Sequence, residues 1–297
     1  MNQPPLFSEV ASSDHIVNVA SVPHRSPFRY AGGKTWLVPR IRRWLATLPT
    51  RPVDFIEPFA GGAIVGLTVA FEQLADHVTL VELDDQVAAV WKTIIEDNEG
   101  EWLADQIRSF ELSSVNVHAL LGRNNLSRRE QALQTLIKNR VNRGGILAPG
   151  AGKLKHGESG KGIASRWYPE TLRKRILNIA SVRDRLTFVH GDGLKILRQN
   201  IHRTDIVFFI DPPYTAAGKK AGSRLYTHND LNHEELFAAA SALAGDFLMT
   251  YDNNETIRVL ASYFGLDTEA VAMKNTHHAK QTELLIGRDL SWLRQAT

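Results

Sequence analysis

The stretch "DIVFFIDPPYTAAG", residues 205–218, sets both the architecture and the chemistry of this chain. A short, unbroken apolar run rich in Ile, Val and Phe reads as a strand buried on both faces, which is the signature of a parallel sheet covered on two sides. That run ends on a carboxylate, two prolines and an aromatic ring: Asp211, Pro212, Pro213 and Tyr214. Prolines cannot continue a strand ladder, so the chain must turn there, outside the carboxyl end of the strand.

Working outward, strand and helix patterns alternate on both sides. "VDFIE" (53–57) reads as a strand, "AGGAIVGLTVAFEQL" (60–74) as a glycine turn opening a helix, "HVTLVEL" (77–83) as a second strand, and "DQVAAVWKTIIEDN" (85–98) has helical spacing. The alternation resumes with strand "RLTFVHG" (185–191), helix "GLKILRQN" (193–200) and the strand of the opening stretch. It continues through helices in 230–245 and 254–264 and strands "DFLMTYD", "DTEAVAM" and "TELLIG". This predicts an α/β chain with a mostly parallel sheet, its last two strands forming an antiparallel hairpin at one edge. Residues 1–26 are polar and aperiodic and read as a flexible tail, so residues 27–97 and 176–297 are expected to form one domain with 98–175 inserted.

The inserted stretch is distinguished by charge. The 297-residue chain carries a formal charge of only +3, yet thirteen Lys and Arg fall between Arg123 and Arg175 against three acids, Glu130, Glu158 and Glu170. From Gly144 to Gly162 the chain is glycine-rich, a segment expected to build no core. A block this basic suits nucleic-acid phosphates, with a solvated basic face or an acidic protein partner as the alternative. Zero cysteines exclude disulfides and thiolate metal sites. The start of the chain lacks the order of a signal peptide, and no apolar run is long enough to span a bilayer, so a cytoplasmic, non-membrane protein is expected.

Three carboxylates fall at strand ends: Glu57, Glu82 and Asp211. In an open α/β sheet, ligands sit outside those ends, near the switch in strand order. After Glu57 comes the small-residue turn of Phe59, Ala60, Gly61 and Gly62, which lets backbone N–H groups approach a ligand. Glu82, a strand later, stands where a carboxylate commonly holds a ribose diol. The turn is not G-x-G-x-x-G, so a cofactor with adenosine but no pyrophosphate fits better than a dinucleotide. "YAGGKT" (30–35) is no P-loop, because its first required glycine would be Phe28.

The Asp-Pro-Pro-Tyr turn has its own chemistry. An exocyclic amino group on a nucleobase is a poor nucleophile, because its lone pair is delocalised into the ring. The Asp211 carboxylate and the Pro212 carbonyl are two acceptors that would draw the lone pair out, the prolines stiffen the turn, and Tyr214 offers a face for the base.

These segments resemble the Dam-like (D12 class) DNA adenine N6-methyltransferases. The resemblance rests on "FRYAGGK" (28–34), "FIEPFAGGAIVGL" (55–67), "LVELD" (80–84), "FFIDPPY" (208–214), Asn139-Arg140, "RLYTHNDLNHEEL" (224–236) and "TYDN" (250–253). It implies a Rossmann-like seven-stranded S-adenosylmethionine-dependent methyltransferase sheet in the alpha motif order, with residues 98–175 as the target-recognition region. It also implies that Tyr30 and Lys34 contact the methionine part of the cofactor and that Asp192 accepts from its adenine. Two departures stand out: the turn has Ala63 where the family usually has a last glycine, and Gly144-Gly145 replace Asn-Gly.

The expected activity is base flipping and methylation of adenine N6 in duplex DNA, with Arg140, Arg143, Lys153, Lys155, Lys161 and Arg166 on the phosphates. No metal is expected, and His277-His278 read as loop. Cytosine-N4 methylation, methylation of RNA or a protein amide, and an inactive DNA-binding relative remain alternatives. A monomer is expected, and a cognate restriction endonuclease is left open as a partner.

Overall fold

The computed structural model describes residues 22–29, 33–154, 160–213, 231–274 and 280–294. Seven strands, β1 (Asp54–Glu57), β2 (His77–Glu82), β3 (Leu186–His190), β4 (Ile206–Ile210), β5 (Asp246–Asp252), β6 (Asp267–Lys274) and β7 (Lys280–Gly287), form one sheet in the order β3-β2-β1-β4-β5-β7-β6. The first five pair in parallel, and β7 runs antiparallel to both β5 and β6. This is the mostly parallel, Rossmann-like seven-stranded sheet that was expected, with the hairpin at its edge. Within that hairpin β7, not β6, inserts beside β5.

The reason for the unbroken apolar run in β4 is visible in the two cores. Its side chains alternate, Val207 and Phe209 to one face, Ile206, Phe208 and Ile210 to the other, and helices cover both. On the first face lie α1 (Val38–Thr47), α2 (Ile64–Glu72) and α3 (Asp85–Ile95). On the second lie α8 (Gly193–Gln199) and the helices His233–Ala242 and Glu255–Tyr263.

Between α3 and β3 the chain adds α4 (Gly100–Ser109), α5 (Ser114–Leu121), α6 (Arg128–Val141) and α7 (Pro169–Ser181), with α3 packed on α6 and α4 on α7. Leu103, Ile107, Leu136, Ile137 and Ile176 from these helices are buried in the same cluster as sheet residues Phe55 and Leu80. Two expectations about flanking segments are corrected. Leu147 and Ala148, inside the glycine-rich stretch, are buried. Residues 22–26 are packed, not loose: Val22 and Ser26 are buried, and Arg25 lies over the Phe71 ring and pairs with Glu72. Among the described residues no helix is long and apolar enough to cross a membrane.

Candidate active site

The strand order reverses between β1 and β4, and a cavity of about 890 Å³ opens outside their carboxyl ends. That is near the upper end of the roughly 300–1,000 Å³ of small-molecule sites. Its lining brings together Lys34, Glu57, Phe59, Ala60, Gly61, Gly62, Glu82, Asp192, Asp211 and Pro213.

The glycine turn is held from both sides. Gly61 donates its N–H to Glu82 Oε2 at 2.9 Å, and its carbonyl accepts from Trp91 Nε1 on α3 at 3.0 Å. Glu82 Oε1 accepts from the Leu83 and Asp84 N–H groups at 2.8 and 2.9 Å. Burial pushes the Glu82 carboxyl up, against the pull of these backbone donors. Ala63 adopts φ +51°, a left-handed conformation at the start of α2. Glycine adopts this conformation without the steric cost that an alanine Cβ brings.

Across the turn, Asp192 caps α8 by accepting from Leu194 N–H at 2.9 Å. A Cβ on the next residue, Gly193, would come 2.1 Å from the Pro58 carbonyl oxygen. A side chain here would force apart the two loops that line the cavity. Glu57 is buried, and its Oε2 accepts from Gly66 N–H at 2.8 Å. Burial raises its pKa well above the usual carboxylate range, aided by the nearby charges of Asp211 and Glu82.

Asp211, one residue past β4, is fixed through one oxygen. Lys34 Nζ lies 3.0 Å from Asp211 Oδ1, and Thr250 on β5 donates to the same atom at 2.7 Å. Lys34, 3% exposed, also faces Glu283 Oε1 on β7 at 3.5 Å. Its ammonium thus bridges two carboxylates in the wall of the cavity that it lines. Tyr251, adjacent to Thr250, is buried, and its hydroxyl meets His233 Nδ1 at 2.9 Å. Pro212 is buried behind Asp211. Tyr30, Tyr214, Lys155 and His277-His278 lie outside the described residues. Among the described residues no group of three or more acids or histidines is placed to hold a metal ion.

Residues named for the nucleic-acid surface divide. Arg143, Lys153 and Lys161 are exposed. Arg140 is not a surface cation: it is 6% exposed, donates to the Pro27 carbonyl and lines the cavity, as does Arg166. Asn139 beside it is fully buried; it accepts from Arg29 N–H at 2.8 Å and donates to the carbonyls of Arg29 and Gly145 at 2.8 and 2.6 Å. Part of the charge read from the block is compensated, since Arg123 pairs with Glu130 within it and Arg128 and Arg129 pair with Asp97 and Glu99 outside it. Sequence reasoning missed Thr250, Glu283, Arg29 and Arg175. A lone acid in the apolar run of β7 was the available signal for Glu283.

Residues 30–141 match the D12 class N6 adenine-specific DNA methyltransferases. The match covers well under half of the 297-residue chain. The matched stretch takes in Lys34, Glu57, the glycine turn, Glu82 and Arg140, and stops before Asp211. No curated protein matches this chain in sequence. Among solved structures, the rRNA methyltransferase aviRa from Streptomyces viridochromogenes is similar at 15% identity over 95% of this chain and 94% of that one, with a TM-score of 0.38. The precorrin-6y C5,15-methyltransferase from Geobacter metallireducens GS-15 is similar at 11% identity over 87% and 93%, with a TM-score of 0.35.

Proposed function

We propose that this protein is a methyltransferase that acts on the N6 amino group of adenine in duplex DNA, as a monomer, using S-adenosylmethionine. The observation that carries the reading is Asp211, held at the switch point by Lys34 and Thr250 through Oδ1 alone. Among the described residues, Oδ2 is thereby left as the oxygen that can accept from a substrate N–H. The choice of adenine and DNA is supported by the family that residues 30–141 match and by Asp at position 211.

The residues present fit the cofactor. Gly193 lets the loop that carries Asp192 close against the Pro58 carbonyl at the cavity rim, and Glu82 offers acceptors beside the Gly61 backbone, suited to a ribose diol. Asp192 Oδ2 is assigned the cofactor adenine. When bound, S-adenosylmethionine supplies an electrophilic methyl group.

The chain's own residues prepare the nucleophile. Adenine N6 cannot be reached within the base stack, so the target base must rotate out into the cavity. There Asp211 Oδ2 and the Pro212 carbonyl accept from the N6 hydrogens and pull the lone pair out of conjugation. Tyr214 stacks on the ring. N6 loses one proton as it gains carbon, and Asp211 is the acceptor placed to pass it to water. Lys34 keeps the buried carboxylates from repelling one another. The cavity brings base and cofactor together, which supplies a further share of the rate. Residues 98–175 are assigned the duplex, with Arg143, Lys153 and Lys161 on phosphates.

The test is incubation with S-adenosylmethionine and unmethylated genomic DNA, followed by digestion to nucleosides and mass spectrometry. N6-methyldeoxyadenosine is the expected product. N4-methyldeoxycytidine, or methylation of RNA with none on DNA, would overturn the reading.

A further inference from the structure

The wall of the cavity built by α6, α7 and residues 26–29 carries three guanidinium groups that no carboxylate among the described residues neutralises. Arg140 donates to the Pro27 carbonyl, and its buried Nε has no partner among those residues. Arg29 likewise has a buried Nη1 without one. Arg175, on α7, donates Nη1 to the Ser26 carbonyl at 3.2 Å. The partners of Arg140 and Arg175 are thus neutral carbonyls. By contrast, Arg123, Arg128, Arg129 and Arg173 of the same region each face a carboxylate. Burial, then the charges of Arg175 and Arg29, push the Arg140 guanidinium down to about 9, so it remains charged at neutral pH with its like neighbours close by. Buried charge of one sign without a counter-charge is costly, and it is tolerated at sites that take a ligand of opposite sign.

All three residues line the same cavity as Asp211. The strand-end wall, with Glu57, Glu82, Asp84, Asp192 and Asp211, suits hydroxyls, an adenine and an ammonium group, but not an anion. A nucleotide rotated out of a duplex brings its flanking phosphates to the cavity, and the planar fork of arginine matches their oxygens. We propose that Arg29, Arg140 and Arg175, the first and last half-buried and Arg140 buried, form a site in the cavity wall for the phosphodiester next to the rotated target nucleotide. The site rests on the nucleic-acid reading above. It differs from the exposed basic surface in acting on the flipped strand inside the cavity.

The experiment compares Arg175→Gln, Arg29→Gln and Arg140→Lys with the unaltered full chain. The last keeps the charge at a position where loss of the Pro27 contact could unfold the protein, and thermal melts establish folding of each. Duplex affinity is read by fluorescence anisotropy across salt, and binding of S-adenosylhomocysteine by calorimetry. For each Gln variant the duplex affinity is expected to fall about tenfold and the log–log salt slope to shrink by roughly one, with the S-adenosylhomocysteine affinity unchanged. A neutral methylphosphonate at one linkage flanking the target should weaken binding by the unaltered protein and not further weaken Arg175→Gln. Loss of S-adenosylhomocysteine binding with duplex binding intact would assign the cluster to the cofactor carboxylate and overturn the proposal, as would variants that change neither. If the unaltered protein binds and methylates RNA but not DNA, the proposed function fails while the same variants, run on RNA, still decide the phosphate site. If it binds neither polynucleotide, the site falls.

Discussion

Lys34 and Asp211, 177 positions apart in sequence, meet at 3.0 Å, and Thr250 closes the same oxygen at 2.7 Å. Lys34 leaves the described N-terminal end of the Lys34–Leu37 turn, Asp211 follows β4, and Thr250 sits on β5, so the contact joins three separate segments around the switch point. Removing the ammonium leaves Asp211 and Glu283 facing each other's charge in a buried wall. Lys34→Met is therefore expected to lower unfolding free energy by about 3–5 kcal/mol, measured by urea denaturation. Thr250→Val, which loses one hydrogen bond, should cost about 0.5–1.5 kcal/mol.

Ala63 holds a left-handed conformation that glycine adopts without strain. Ala63→Gly is expected to stabilise the protein by about 1 kcal/mol, seen as a higher melting temperature, with cofactor affinity preserved. Gly193→Ala should do the reverse, because its Cβ would meet the Pro58 carbonyl and displace the loop that carries Asp192. Calorimetry with S-adenosylhomocysteine checks the loss.

Asn139 makes three hydrogen bonds to the backbone of Arg29 and Gly145 while wholly buried. It acts as a positioning residue, fixing residues 26–29 against α6. Asn139→Leu leaves those three backbone groups unsatisfied, and a loss of about 3 kcal/mol or more is expected by denaturant titration. Asn139→Asp keeps the acceptor for Arg29 N–H but loses both donors, and should fall between the two.

The buried Glu57 predicts a pH dependence of stability. Its carboxyl binds a proton more tightly in the folded protein than in the unfolded chain, whose value is near 4.5. Protonation therefore favours the folded state, and stability contributed by this group falls as pH rises from about 4.5 through the raised folded value. Glu57→Gln can still accept from Gly66 N–H without ionising. The variant should melt higher than the unaltered protein at pH 8, with the difference vanishing below pH about 4.5.

The sequence made legible whatever depends on local pattern. Apolar runs closed by Glu57, Glu82 and Asp211 located the strands and the rim of the cavity together, because a strand end at a switch point is both a turn and a site. Thr250 at Asp211 and Glu283 at Lys34 were hidden, since they come beside β4 only through the order β4-β5-β7, which no local pattern specifies. The pairing within the basic block was hidden for the same reason. Arg128 and Arg129 are neutralised by Asp97 and Glu99, some 30 positions earlier, whereas Arg140 turns inward to the backbone of residues 26–29, more than 110 positions away. Charge counted along the chain does not say which charges the fold leaves uncompensated.

In the proposed mechanism Asp211 accepts from the target amino group, and Asn at this position keeps an oxygen for the Lys34 and Thr250 contacts. The direct measurement is Asp211→Asn beside the unaltered protein, with N6-methyldeoxyadenosine formation on unmethylated DNA followed by mass spectrometry and S-adenosylhomocysteine binding followed by calorimetry. Methylation is expected to drop by at least about 100-fold with cofactor affinity retained. Undiminished formation of N6-methyldeoxyadenosine by the variant would contradict that role for Asp211.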